Sequence, residues 1–172
     1  MKNLMTVLLF MLLTFQAAVA QNVNKRVYDS TLNQEVLAGL CNRQVLTKDE
    51  FGTYFNPEYK NYQPQTKFIN KLKDKINTVS VVIVFGEWCG DSQEQVPRFF
   101  KIADEAKMDS SHLKLIAVNR NKDAVTEDIS GYKIERVPTF IVFKGDTESG
   151  RIVETPSTTL EEDLWKIISK NN

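Results

Sequence analysis

Residues 81–92 read V-V-I-V-F-G-E-W-C-G-D-S, and the group in this stretch able to do covalent chemistry is the Cys89 thiol. The apolar, β-branched run ending at Gly86 reads as a buried strand. Gln93 to Lys107 reads as a helix. Cys89 therefore stands at a strand-to-helix turn, near a helix N-terminus, where free backbone N–H groups and the helix dipole favour an anion. A thiolate is such an anion, and it is the reactive form of cysteine. Ser92 sits three residues on, its hydroxyl placed to hydrogen-bond that thiolate. Asp91, between them, brings a carboxylate of like charge. The chain holds 2 Cys and 1 His, namely Cys41, Cys89 and His112. A four-ligand thiolate or imidazole metal site is thereby excluded, and no cofactor is expected.

These groups need a frame to hold them. Thr66 to Asn77 places Phe68, Ile69, Leu72 and Ile76 at helical spacing. Val79 to Phe85 is the first strand, and Asp91 to Lys107 the long helix, with Pro97 inside it. His112 to Val118 reads as a second strand and Ala124 to Tyr132 as a short helix or turn. Val137 to Lys144 reads as a third strand. Gly145 to Gly150 is a turn, Arg151 to Glu154 a fourth strand, and Leu160 to Ser169 a closing helix with Trp165 in its core face. Strand-helix-strand units imply parallel pairing with right-handed crossovers. The last two strands form an antiparallel hairpin. The expected fold class is α/β, a three-layer α/β/α sandwich around a mixed sheet of at least four strands.

Residues 21–65 differ from this core. Asn33 to Leu46 suggests a short helix. Thr47 and Glu50 have the spacing of a capping box for another. Phe51 to Pro64, broken by Pro57 and Pro64, suggests an aromatic connector packed on the main domain, with a lid beside the thiol as the alternative. The expectation is an N-terminal helical extension over 21–65 and a main domain over 66–172.

Residues 1–20 have the three parts of a secretory signal peptide: Lys2, the apolar run Leu4 to Phe15, and Ala18-Val19-Ala20 before Gln21. Export to a periplasmic or extracellular space is expected, with no membrane span after cleavage. The full chain carries 22 Lys+Arg and 22 Asp+Glu, so loss of Lys2 leaves a net charge of −1. Without a basic stripe, nucleic-acid binding is disfavoured.

The order of elements, with Trp88-Cys89-Gly90 opening the long helix, resembles the thioredoxin superfamily over residues 66–172. Trp88-Cys89-Gly90 match the start of that family's W-C-G-P-C motif. Pro97 matches its helix proline, and Val137-Pro138-Thr139 its cis-proline segment. Gly150 matches its hairpin glycine. The W-C-G-D-S form with an aromatic N-terminal segment is similar to a group of exported bacterial thioredoxin-like proteins. The resemblance implies thiol–disulfide exchange with protein or small-molecule disulfides and thiols. It also implies a substrate groove of Trp88, Val137 and Pro138 around Cys89, in which a cis Pro138 exposes the backbone of Val137 to an extended partner. Three departures stand out. Asp91 replaces the motif proline, Ser92 its second cysteine, and Ile83 the buried acid six residues before the first.

Three functional readings follow. In the first, Cys89 acts alone and an external thiol or reductase resolves its mixed disulfide. In the second, Cys41 is a remote resolving thiol, against the plainer view of a small buried hydrophobe. In the third, the chain is a non-catalytic peptide- or protein-binding module. Elsewhere the plain readings serve: Glu87 solvates the rim, His112 is solvent-exposed, and Arg120 and Arg136 form surface salt bridges or border the groove and attract acidic partners.

Overall fold

The computed structural model describes residues 23–170. The expected export segment, residues 1–20, and its cleavage before Gln21 lie outside the described residues. No helix among the described residues is long and apolar enough to cross a membrane.

Six residues, Ser80–Phe85, all apolar after the first, make strand β4, buried along its length from Val81. Counting from the N-terminus, β1 is Arg26–Asp29, β2 Gln34–Leu37 and β3 Gly39–Cys41. Then come α1 (Arg43–Leu46), α2 (Asp49–Asn61), α3 (Thr66–Lys73) and β4. They are followed by α4 (Gly90–Glu105), β5 (Leu113–Ala117), β6 (Thr139–Lys144), β7 (Thr147–Val153) and α5 (Leu160–Ser169). The main sheet has the order β3-β5-β4-β6-β7, and β1 and β2 form a separate ribbon. β4 and β5 run parallel, with Ile83 opposite Leu115, across the α4 crossover. β6 is antiparallel to β4 and to β7. This is the thioredoxin-like α/β sandwich with a mixed sheet.

The N-terminal extension corrects the helical expectation. Its first part is strand: a β1–β2 hairpin, then β3, whose Cys41 pairs with Leu115 at the sheet edge. Thr47 does not cap α2. Its hydroxyl donates to the Gln44 carbonyl at the end of α1, and Lys48 takes the N-cap position. Pro57 does not break α2 either. Phe51 and Phe55 of that helix are buried and stack against Phe85, Tyr59 and Phe100. That burial, roughly 2–3 kcal/mol per aromatic ring, offsets the helix bond that Pro57 removes. The segment covers the core, as its aromatic content suggested.

The helices all contribute to one apolar cluster on one sheet face, around Ile83, Phe85, Phe99 and Phe140. The opposite face carries a smaller cluster of Val82, Val84, Ile116, Val118, Ala124, Val137 and Ile141. Residues 119–138 cover it as a loop with one 3-10 turn at Ser130–Tyr132, where a short helix at 124–132 was one expectation. Left-handed backbone at Val125 and Lys133 (φ 59° and 51°) interrupts any helix there. Asn119 and Asp123 close local turns by accepting nearby backbone N–H groups, which competes with helix formation. At the other hairpin, β7 begins at Thr147, so the turn is shorter than the sequence suggested. Gly150 lies inside β7, where a Cβ would come 3.1 Å from Ile167.

Candidate functional site

β4 ends at Phe85 and α4 begins at Gly90, so Cys89 is the N-cap of a 16-residue helix. Its N–H donates to the Gly86 carbonyl at 3.0 Å, and its carbonyl accepts the Gln93 N–H at 3.0 Å. These bonds fix the turn and place the half-buried Cys89 at the N-terminus of α4. The N–H groups of that helix's first turn have no partner within the helix. The thiol donates to the Val137 carbonyl at 3.1 Å. The Val137–Pro138 peptide is cis, as the resemblance implied. Cys89, Val137 and Pro138 therefore meet across two loops.

Trp88 forms the wall beside the sulfur. Its indole N–H donates to the Val118 carbonyl at 3.0 Å. The ring lies so close over Gly86 that a Cβ there would come within 2.6 Å of it. Gly86, which the sequence marked only as a strand end, is thus required for the Trp88 position. The Arg120 guanidinium stacks on the ring, 4.4 Å from its centre.

Ser92 is fully buried, and its oxygen accepts the Gly86 N–H at 3.3 Å. It braces the turn, which corrects the expectation of a bond to the Cys89 sulfur. Asp91 lies in the first turn of α4, half-buried, and Gly90 is exposed. Ile83 is fully buried between Leu115 and Phe140.

Cys41 is not brought to Cys89. It lies on β3 against the helical-face cluster, while Cys89 belongs to the opposite one. Cys41 shares its register with Leu115 and Ile83, two positions before β4 ends at Phe85, whereas Cys89 lies beyond that end. Both cysteines are free. Burial pushes the Cys41 thiol up to about 12, which removes its nucleophilic form at neutral pH. Cys41 is half-buried and packs against the core, where the plain reading had it fully buried.

Two carboxylates, Glu87 and Asp29, fasten the N-terminal hairpin to this site. Glu87, expected to solvate the rim, has a side chain only 11% exposed. It accepts the Leu37 N–H at 2.9 Å and pairs with Arg26 at 2.8 Å. Burial holds its carboxyl above the ordinary range, against the opposing pull of Arg26. Asp29 accepts the Arg120 N–H at 2.6 Å, with Thr31 and Leu32 as further donors. Those backbone donors, Arg120 first, hold its carboxyl below the ordinary range. His112, expected to be exposed, is half-buried, with Nδ1 2.9 Å from the Val79 carbonyl. Among the described residues no cluster of His, Cys, Asp or Glu converges that would hold a metal ion.

Comparison with known proteins agrees with this architecture. A family model described as thioredoxin matches residues 46–164. No curated protein matches the sequence. Among solved structures, a protein of unknown function from Pseudomonas aeruginosa superposes with a TM-score of 0.51 at 15% identity, over 70% of this chain and 82% of that one. Fasciola hepatica thioredoxin gives a TM-score of 0.39 at 23% identity, over 62% of this chain and 90% of its own. Mitochondrial thioredoxin 3 from Saccharomyces cerevisiae gives 0.38 at 18% identity, over 66% and 98%.

Proposed function

Because the chain belongs to the thioredoxin superfamily, whose chemistry is thiol–disulfide exchange, we propose that it is an exported oxidoreductase working through Cys89 alone. The observation that carries this reading is the placement of one thiol. Cys89 caps α4 beside the cis Val137–Pro138 peptide, with buried Ser92 three residues on and Cys41 on the other face of the sheet.

In the resting site the Cys89 thiol donates its hydrogen bond to the Val137 carbonyl. A substrate strand pairing with the Val137 backbone competes for that carbonyl and frees the thiol to ionise. The thiolate then attacks one sulfur of a disulfide. The Cys89 sulfur–sulfur bond forms, the substrate bond breaks, and the departing thiolate takes up a proton. Ser92 supplies no second sulfur, so an external low-molecular-weight thiol or a reductase attacks the mixed disulfide and restores Cys89. Substrates are protein or small-molecule disulfides, and the compartment follows from the signal-like residues 1–20.

The test is turnover of 2-hydroxyethyl disulfide with an excess low-molecular-weight thiol. Cys89→Ser should abolish catalysed turnover, and Cys41→Ser should leave it unchanged. Ser92→Cys should gain reduction of insulin. A second reading, a peptide-binding module, draws on the Cys89 proton being engaged by Val137 and on the missing second cysteine. It requires Cys89→Ser to retain every partner that the wild-type chain captures.

A further inference from the structure

The cleft beside Cys89 has a charge pattern that the exchange reaction alone does not need. It encloses about 300 Å³ and is lined by Trp88, Cys89, Arg120, Lys122, Glu135, Arg136, Val137 and Glu154. Of its three basic groups, Arg136 is already neutralised by Glu154 at 2.6 Å. The side chains of Arg120 and Lys122 form no ion pair among the described residues. Of the two acids lining the cleft, Glu154 is taken up by Arg136 and Glu135 is the other. Arg120 is held in place from two sides, its guanidinium on the Trp88 ring and its N–H on the buried Asp29 carboxylate. On the far side of Trp88 a recess of about 260 Å³ carries Glu50, and Glu87 already paired with Arg26.

We propose that this cleft selects disulfides bearing a carboxylate close to the sulfur, with Arg120 and Lys122 as its recognition groups. This rests on the exchange reading of Cys89 and specifies its substrate class. The carboxylate lodges against Arg120 and Lys122 while the near sulfur meets Cys89. Attack forms the Cys89–sulfur bond and breaks the substrate bond. The second carboxylate-bearing half leaves as a thiolate and takes up a proton, and an external thiol then releases the first half. Guanidinium groups suit this task because their planar donors match a carboxylate. The hairpin carrying Asp29 is then a positioning element, acting through the Arg120 backbone.

The experiment compares three symmetric disulfides at neutral pH: 3,3′-dithiodipropionate, 2-hydroxyethyl disulfide and cystamine, which are anionic, neutral and cationic. The readout is the rate of the Cys89 adduct by intact mass. Each rate is divided by that of the same disulfide with 2-mercaptoethanol, which removes intrinsic reactivity. At about 20 mM ionic strength the normalised rate for the dianion should exceed that for the dication by about tenfold, the scale for two nearby charges in solvent. In about 0.5 M salt the ratio should collapse toward unity. An R120Q/K122Q double variant should lose the preference at low salt. Equal normalised rates, or a faster dication, would overturn the proposal and leave the exchange reading intact. No adduct with any of the three would overturn both.

Discussion

Removing the Glu87 carboxylate should loosen the N-terminal hairpin by an amount the structure sets. Glu87 does two things there. It accepts the N–H of Leu37, a residue 1% exposed, and it pairs with Arg26. In Glu87→Ala the Leu37 N–H loses its acceptor, a cost of about 1–3 kcal/mol. The ion pair adds little, because the Arg26 side chain is 35% exposed and pairs of that kind contribute about 0–1 kcal/mol. The sum is about 1–4 kcal/mol. In Glu87→Gln the amide oxygen still accepts from Leu37, and the buried carboxylate that burial makes costly to ionise is gone. The loss there should stay under about 1 kcal/mol. At roughly 2–4 °C per kcal/mol for a chain of this size, E87A should lower Tm by about 2–16 °C and E87Q by less than about 4 °C. Thermal unfolding followed by circular dichroism, with urea titration as a check, measures both. Equal shifts for the two variants would refute the reasoning, because the ion pair would then carry the effect. So would two shifts within about 1 °C of wild type.

Other consequences follow from single contacts. With its thiol pushed up to about 12 from an ordinary 9.0, Cys41 should react with iodoacetamide about 10³-fold more slowly than an unfolded-chain thiol at the same pH. Cys89 should be labelled first, and peptide mapping of a time course reads this directly. Asp29 is held below the ordinary carboxyl range by backbone donors, Arg120 first. A depressed acid contributes stability above its unfolded value of about 4 and loses it as pH falls through the native value. The stability gap between wild type and Asp29→Asn should therefore be open at pH 6 and close progressively below about pH 4. The Tyr62 hydroxyl donates to buried Glu161 at 2.7 Å. Tyr62→Phe should cost about 1–3 kcal/mol, measured by urea unfolding.

What the sequence made legible is what lies close together in it. Residues 79–105 hold a strand, a turn and a helix in one contiguous run, so Cys89 could be placed at its helix N-terminus from the sequence. The three strands before residue 42 could not. They are four, four and three residues long, too short for alternation to register, and β3 has meaning only beside β5. Pro57 misled because its penalty is local, while the burial of Phe51 and Phe55 that outweighs it is tertiary. Ser92 was read against its nearest reactive neighbour, yet its oxygen serves the Gly86 N–H. Glu87 looked like a rim acid and Asp29 drew no reading, since their partners Leu37 and Arg120 lie 50 and 91 positions away. Sequence proximity gives no sign of such pairs.

The account turns on one thiol acting without a second. The direct measurement is the intact mass of the chain after exposure to excess 2-hydroxyethyl disulfide, followed by peptide mapping and by addition of a low-molecular-weight thiol. The account predicts one mercaptoethanol adduct on Cys89 that persists until the external thiol removes it, and none on Cys89→Ser. An unmodified Cys89, or an adduct that vanishes without added thiol as a Cys41–Cys89 bridge appears, would contradict it.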